Sequence, residues 1–467
     1  MIKDQMYEPR MMDHEVFRAY DIRGIIPDQL DDNAFYTVGK ALACRLHALG
    51  RTSMLVGRDG RLSSERLARA MMHGLMDSGI HVFDIGMVTS PLLYYATNIS
   101  GIDSGVMITG SHNPANYNGI KMVLGGTTLG QIDIELLYDL VVQGQFYAGE
   151  GRYEFLNVVD DYVHRIVGDV RLKRPFKVVV DAGNGIAGPF VPRVLRALGC
   201  EVIELYCDVD GHFPHHHPDP SVEANMADLK TEMILHGADL GLAFDGDADR
   251  LGVVTPKGEL ICPDRLMMMY APAVLATNPG ACIVFDVKCS SDLAPVIREA
   301  GGVPLMCPTG HSIVKAKMKE EKAVLAGEMS GHLFFKDRWY GFDDALYSAC
   351  RLLEILSQSP LSAQEQLSRL PTRISTPELK IPMPDAKKFQ FMQEFIEQAQ
   401  FQDATLITID GLRVEFPDGW GLLRASNTTP CLVARFEAQD AVGLERIMDL
   451  FRLALLESGV VGLEKGS

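Results

Sequence analysis

The chain has no apolar run of membrane-spanning length, and its opening residues (Met1-Ile2-Lys3-Asp4-Gln5-Met6-Tyr7-Glu8) lack the apolar core of a secretory signal. The expectation is a cytoplasmic protein with no membrane partner. Its nine cysteines are scattered, odd in number and include no Cys-x-x-Cys pair. That speaks against a disulfide framework and against a cysteine-ligated zinc ion. Cations are scarce as well: 44 Lys and Arg against 61 Asp and Glu leave a formal net charge of −17. Such a surface repels nucleic-acid phosphates, so a nucleic-acid partner is excluded as an expectation. No low-complexity tract is present, and no glycine stretch leads into Gly-Lys-Ser/Thr, which removes a Walker phosphate loop. What remains is an ordinary globular composition, 47% hydrophobic and 22% charged. At 467 residues the chain is too long for one core, and the length suggests about three or four domains. With so few cations, any site for a small phosphorylated ligand must gather its Arg, Lys and His locally.

Taken in order, residues 1–16 show little periodicity and read as a loosely attached tail. Phe17-Arg18-Ala19-Tyr20-Asp21-Ile22-Arg23-Gly24 follows, then a helical pattern over Asn33 to Leu49. A strand, Met54 to Gly57, meets Arg58-Asp59-Gly60, and Ser63-Ser64-Glu65-Arg66 has the form of a helix-capping signal. His81 to Gly86 is a further strand, and Val106-Met107-Ile108 enters Thr109-Gly110-Ser111-His112-Asn113-Pro114, completing an alternating β/α unit. The same order of strand, short polar loop and helix recurs twice. Lys177 to Asp181 leads to a turn and a helix from Pro192 to Leu198, then Gly241 to Phe244 enters Asp245-Gly246-Asp247-Ala248-Asp249-Arg250 ahead of a strand, Leu251 to Val254. Cys282 to Asp286 leads to Val287-Lys288-Cys289-Ser290, then Cys307 to Ser312, and Ala323 to Ala326 enters Gly327-Glu328-Met329-Ser330-Gly331-His332. Beyond Leu370 the pattern changes: Pro377, Pro382 and Pro384 read as a linker to a small α+β domain. The expected domains are 1–156, 157–258, 259–371 and 372–467.

Four loops carry chemistry. Ser111 sits on a tight turn at the end of an apolar strand, where α/β folds place reacting groups. By itself such a serine is a turn or cap residue. Asp245, Asp247 and Asp249 crowd three carboxylates into five residues. Their mutual repulsion is relieved by a hard dication, and an all-oxygen set suits Mg²⁺ or Ca²⁺ better than zinc. A calcium loop is excluded because Arg250 and Pro256 occupy its sixth and twelfth positions in place of Gly and Glu. Arg424-Ala425-Ser426-Asn427-Thr428-Thr429 offers a guanidinium, hydroxyls, an amide and backbone N–H groups, the donors a phosphate dianion needs. Glu328 and Ser330, bracketed by glycines, suit two neighbouring sugar hydroxyls, and His311 and His332 occupy matching loop positions. The run His215-His216-His217-Pro218 lacks helical spacing and an acidic neighbour, and reads as a structural loop.

These four loops, in this order and over nearly the whole chain, resemble the α-D-phosphohexomutase superfamily. Phe17 to Gly24, Asp219-Pro220, Asp286 to Cys289 and Gly419-Trp420-Gly421 are most similar to its bacterial phosphomannomutase/phosphoglucomutase branch. Met329 also resembles the mannose/glucose branch, where phosphoglucosamine mutases carry Gln; Ala248 departs from the Gly common in that loop. The resemblance implies three related α/β domains and a C-terminal α+β domain around a central active-site cleft. It implies interconversion of hexose 1-phosphate and hexose 6-phosphate through a phosphoserine at Ser111 and a hexose 1,6-bisphosphate, which also serves as activator. One Mg²⁺ per chain would bind the Ser111 phosphate with Asp245, Asp247 and Asp249, with His112 and Arg250 beside it. Arg23, Lys121 and His332 are the implied candidates for proton transfer, and the high pKa of arginine ranks Lys121 and His332 ahead of Arg23 as the base. Tyr20, Lys288, His311, Glu328 and Ser330 would hold the sugar, and Arg424, Ser426, Asn427 and Thr428 its distal phosphate. A phosphoglucosamine mutase and a serine-phosphoenzyme phosphatase are the alternative readings. The protein is expected to be a monomer whose partners are phosphorylated hexoses, with closure of the C-terminal domain about a hinge at 371–384 excluding water.

Overall fold

The structure, a computed structural model, describes residues 6–427, 429–460 and 462–463. It separates into two compact units, one of Met1–Pro263 with Ser330–Arg369, the other of Asp264–Met329 with Leu370–Ser467. Three α/β sheets precede an antiparallel fourth. Among the described residues no helix is long and apolar enough to cross a membrane.

In the first unit, strands Gly105–Ile108, Ser53–Arg58 and His81–Met87 run parallel at the heart of a sheet that Tyr153–Phe155 closes at one edge. Gly105–Ile108 is wholly buried, which is why it reads as an unbroken apolar run instead of an alternating one. Tyr117–Leu124 lies antiparallel between Gly105–Ile108 and Ile22–Ile25, placing Lys121 opposite Met107 and Gly119 opposite Arg23. Arg23 and Lys121 therefore stand on neighbouring strands of one sheet. Helix Asp32–Ala48 begins where Asp31 accepts from the Ala34 N–H, the usual satisfaction of a free helix-terminal donor. A second sheet has Leu240–Phe244 parallel to Lys177–Asp181 and antiparallel to Leu251–Val254. The hairpin joining Leu240–Phe244 to Leu251–Val254 carries the three aspartates.

Residues 7–16 correct the expectation of a loose tail. Arg10 pairs with Asp31 at 2.7 Å, Tyr7 stacks on Tyr36, and Met12 and Val16 are buried. Ser63 also departs from its pattern: it makes no side-chain cap, and its hydroxyl accepts from Asn118 Nδ2 at 2.9 Å.

In the second unit, Cys282–Asp286 runs parallel to Val303–Cys307 and Leu325–Gly327. The C-terminal sheet is antiparallel, with Cys431–Ala438 and Gly419–Ala425 at its centre and helices Asp385–Gln398 and Ala441–Glu457. The proline-marked stretch is not a linker. Ile374–Ser375 and Leu379–Pro382 both pair with Cys431–Ala438, at a sheet edge where proline costs no ladder bond. This domain also grips the segment around Lys288: fully buried Arg413 donates to the Val287 and Cys289 carbonyls at 2.6 and 2.7 Å, and Arg435 to that of Lys288 at 2.8 Å. A hinge at 371–384 would have to work around these bonds, so the segment is a poor pivot for the C-terminal domain alone.

Candidate active site

Ser111 is 1% exposed and adopts a left-handed φ of 48°, a conformation that costs any side-chain-bearing residue about 1 kcal/mol. Its N–H donates to Thr109 Oγ1 at 2.9 Å, and its Oγ donates to Asp245 Oδ2 at 3.0 Å and stands 3.3 Å from His112 Nδ1. The two loops meet closely because Gly246 lacks a side chain: a Cβ there would lie 2.3 Å from the Ser111 carbonyl oxygen. Half-buried His112 is pushed well below the usual histidine pKa by burial, then by Arg250 and Arg23. It is neutral.

Asp245, Asp247 and Asp249 are fully buried, with one oxygen of each within 4.8 Å of the others. Burial, followed by Asp249 and Asp247, raises the Asp245 pKa well above the ordinary carboxylate range. For Asp249 burial pushes up, but Lys121 and His332 outweigh it and hold the pKa well below that range. Asp245 Oδ1 accepts from the N–H groups of Asp249 and Arg250 at 3.0 and 3.1 Å. Ser90, at the start of helix Ser90–Ile99, donates from Oγ to Asp247 Oδ2 at 2.5 Å. Lys121 reaches Asp247 at 2.5 Å and also bonds Asp249. Burial alone would lower the lysine pKa, but these carboxylates raise it well above normal. Lys121 is thus a fixed cation.

The triad fits a hard divalent cation. Asp247 Oδ1 and Asp249 Oδ1 are buried without a hydrogen-bond donor, acceptor atoms of the kind such an ion coordinates.

Arg23 bonds Asp21 at 2.5 Å and Asn113 Oδ1, which ties it to the serine loop. Arg250 Nε donates to His332 Nε2 at 3.2 Å, and Ser330 Oγ lies 2.8 Å from His332 Nδ1. The His332 Nε2 is 3.4 Å from Asp249 Oδ1. Tyr20 lies on the bend closed by the Phe17–Ile22 bridge, half-buried.

The structure brings Ser111, His112, Arg23, Lys121, Arg250, Ser330, His332 and the three aspartates into the first unit. Lys288, His311, Glu328, Arg424, Ser426 and Asn427 belong to the second, and Thr428 lies outside the described residues. There Glu328 accepts from the Gly310 N–H at 2.7 Å, just ahead of His311 at the start of helix His311–Glu320. Asp410 joins two of the sequence motifs: it accepts from the Thr309 N–H and from Arg424 Nε, each at 3.0 Å. Ser426 Oγ is 2.8 Å from Thr429 Oγ1, and the half-buried Asn427 follows on the same turn.

Lys288 pairs with Glu378 at 2.8 Å, and this ammonium holds the Glu378 pKa at about 2 against burial. Because the folded pKa is depressed, the stabilisation is complete above the ordinary glutamate pKa and is lost as pH falls from there towards about 2. Denaturant titrations of Glu378→Gln against the parent protein should show a deficit at neutral pH that shrinks over that acidic window. A deficit independent of pH would contradict the pairing.

Three features escape a reading of the sequence. Asp59 and Arg61 tie down the serine loop: Asp59 Oδ2 accepts from Thr109 Oγ1 at 2.8 Å, and Arg61 donates to loop carbonyls. The histidine run does have an acidic partner, since His216 Nε2 lies 3.0 Å from Asp181 Oδ2, and His217 Nε2 bonds the His112 carbonyl. Asp410 is a lone acid in a turn. Only the Asp59 loop position after a strand could have flagged any of these.

Comparison with known proteins places four domain models along the chain. Domains I, II and III of phosphoglucomutase/phosphomannomutase, each described as alpha/beta/alpha, match residues 14–148, 160–258 and 262–374, and the C-terminal domain matches 378–454. A phosphomannomutase/phosphoglucomutase of Pseudomonas syringae is 51% identical over 440 residues, covering 94% of this chain and 95% of that protein. A phosphoglucomutase of Neisseria meningitidis is 52% identical over 448 residues, covering 95% and 97%. The crystal structure of a phosphoglucomutase/phosphomannomutase family protein from Burkholderia thailandensis superposes with a TM-score of 0.93 at 49% identity, covering 97% of this chain and all of that one.

Proposed function

The chain belongs to the phosphoglucomutase/phosphomannomutase family, and from that premise we propose how its residues carry the reaction. The protein is an isomerase that interconverts hexose 1-phosphate and hexose 6-phosphate, of mannose, glucose or both. The observation that carries the residue-level reading is the buried Ser111 hydroxyl 3.0 Å from Asp245, beside two further carboxylates.

Ser111 stores a phosphoryl group. The free hydroxyl of the bound sugar attacks the phosphorus in line, the P–Oγ bond breaks, and the products are a hexose 1,6-bisphosphate and Ser111, whose oxygen takes a proton. The bisphosphate reverses, and Ser111 attacks its other phosphate to restore the phosphoenzyme. Asp245, Asp247, Asp249 and the phosphoserine would hold one Mg²⁺ per chain, which would supply neutralisation of phosphoryl charge. Arg250 and Lys121 add fixed positive charge at the same place. His332 takes the proton of the attacking hydroxyl, since Lys121 is already protonated and paired with Asp247 and Asp249. Arg23 orients the loop through Asn113. Neutral His112 accepts a hydrogen bond from Ser111 once the phosphate has left. Tyr20, Lys288, His311, Glu328 and Ser330 bind the sugar; Arg424, Ser426, Asn427 and Thr428 bind the distal phosphate. The reading includes a cytoplasmic monomer activated by hexose 1,6-bisphosphate.

Coupled assays with mannose 1-phosphate, glucose 1-phosphate and glucosamine 1-phosphate, with bisphosphate and Mg²⁺ present, test this. The first two should turn over with kcat/KM values within about tenfold of each other, and glucosamine 1-phosphate about 100-fold less well. Preference for glucosamine 1-phosphate would favour an amino-sugar mutase. Stoichiometric release of inorganic phosphate would favour a phosphatase.

A further inference from the structure

Arg61 sits outside the four loops of the proposed reaction, yet it bonds the serine loop and its exit at four points. It is 3% exposed, and its guanidinium donates to four backbone carbonyls: Pro114 and Tyr117 through Nη1 at 2.5 and 3.0 Å, Ser111 and Asn113 through Nη2 at 2.7 and 2.6 Å. Its Nε lies 3.3 Å from Asp59 Oδ2. The same carboxylate accepts from Thr109 Oγ1 and from the Gly110 N–H at 2.8 and 3.2 Å, and Thr109 Oγ1 in turn accepts from the Ser111 N–H. The loop is thus held on both its carbonyl side and its N–H side by one ion pair. The contact is close: a Cβ on Gly110 would stand 2.5 Å from the Arg61 guanidinium carbon. Phe213 covers the group from the second α/β domain, its ring centre 5.0 Å from that carbon.

Four carbonyls meeting one planar cation is a demand that arginine meets and lysine does not. The guanidinium has five N–H donors in a fixed fork, the ammonium three on a flexible stem. Within the segment so clamped, Ser111 holds its left-handed φ of 48°, a conformation that an untethered loop leaves readily. A group that gives phosphate to one end of a sugar and takes it back from the other in each turnover needs its Oγ returned to one place each time. Small misplacements of a reacting atom are costly in rate and leave binding of the rest of the substrate intact.

We infer that Arg61, braced by Asp59 and Thr109, is a positioning residue for the nucleophile: it fixes Ser111 Oγ for phosphoryl transfer without itself touching substrate. The inference rests on the phosphoserine reading above. It assigns Arg61 to the chemical step and not to sugar affinity.

The test uses the full chain with Mg²⁺ and glucose 1,6-bisphosphate, comparing Arg61→Met, Arg61→Lys and Thr109→Val with the parent protein and Ser111→Ala. Arg61→Met should lower kcat about 100-fold and the other two about tenfold, with KM for glucose 1-phosphate within about threefold throughout. The rate at which dephosphorylated enzyme is loaded at Ser111 by the bisphosphate, followed by intact mass, should fall in step with kcat. The partial recovery in Arg61→Lys separates a geometric role from a purely electrostatic one, which lysine would restore in full. Should Arg61→Met fail to fold, the two milder variants carry the same readouts. A kcat within twofold of the parent in the folded variants, or a loss confined to KM, overturns the inference. Full activity in Ser111→Ala would instead overturn the phosphoserine reading, whatever the Arg61 variants do.

Discussion

Ser111→Ala is expected to lower turnover by about four orders of magnitude or more, while leaving the fold and sugar-phosphate binding in place. The reason is local. The Ser111 Oγ makes one hydrogen bond to Asp245 and a longer one to His112, so its removal strips little from the packing. The position of the loop is set by backbone contacts: its carbonyl accepts from Arg61 and its N–H donates to Thr109. Alanine keeps both, although its left-handed φ remains strained. No second hydroxyl contacts Asp245 in the described structure, so nothing nearby takes over storage of the phosphoryl group. The check is steady-state turnover with glucose 1-phosphate alongside thermal unfolding. Collapse of activity with a parent-like unfolding transition is the expected pair of results.

Asp245→Asn should separate metal binding from stability. In the metal-free protein the Asp245 carboxyl is held well above its usual pKa by burial, Asp249 and Asp247, and asparagine mimics that neutral form. Its Oδ1 can keep the bonds now made by the N–H groups of Asp249 and Arg250, and its Nδ2 can donate to the Ser111 Oγ that currently donates to Oδ2. Two carboxylates at this spacing repel by about 3 kcal/mol at an effective dielectric of about 20, so the substitution relieves whatever ionised fraction is present. The metal-free variant should therefore unfold at the parent temperature or slightly above it. Added Mg²⁺ should raise the unfolding temperature of the parent protein but not of the variant, and turnover should fall about a thousandfold. A variant that gains as much stability from Mg²⁺ as the parent would remove Asp245 from the metal site.

The sequence disclosed the strands that are buried on both faces. Lys177–Asp181, Leu251–Val254 and Cys282–Asp286 have the bounds their apolar runs predict, because a strand without a wet face has no polar residues to blur its ends. It also disclosed the loops whose side chains repeat one chemistry within a few residues, the aspartate triad above all. It hid whatever depends on partners distant in the chain. Residues 7–16 have no periodicity, but they dock through Arg10 on Asp31 and Tyr7 on Tyr36. The strand Leu379–Pro382 is disguised by its prolines, which an edge position tolerates. Ser63 has the form of a cap, yet Asn118 takes its hydroxyl. Arg61 is the clearest case, for its acceptors are backbone carbonyls 50 to 56 residues away, and carbonyls leave no mark on a sequence. Lys121 shows the same limit in chemistry: a lysine near a reacting hydroxyl suggests a base, and only its pairing with Asp247 and Asp249 reveals a cation.

The central claim is that Ser111 carries the phosphoryl group between the two ends of the sugar. The direct test is to load dephosphorylated enzyme with glucose 1,6-bisphosphate bearing radiolabelled phosphate, locate the label by peptide mass analysis, and chase with unlabelled glucose 1-phosphate. The account predicts one label per chain, on Ser111, passed to sugar phosphate within a turnover with no release of inorganic phosphate. Label on another residue, or its loss to water at the rate of turnover, would contradict it.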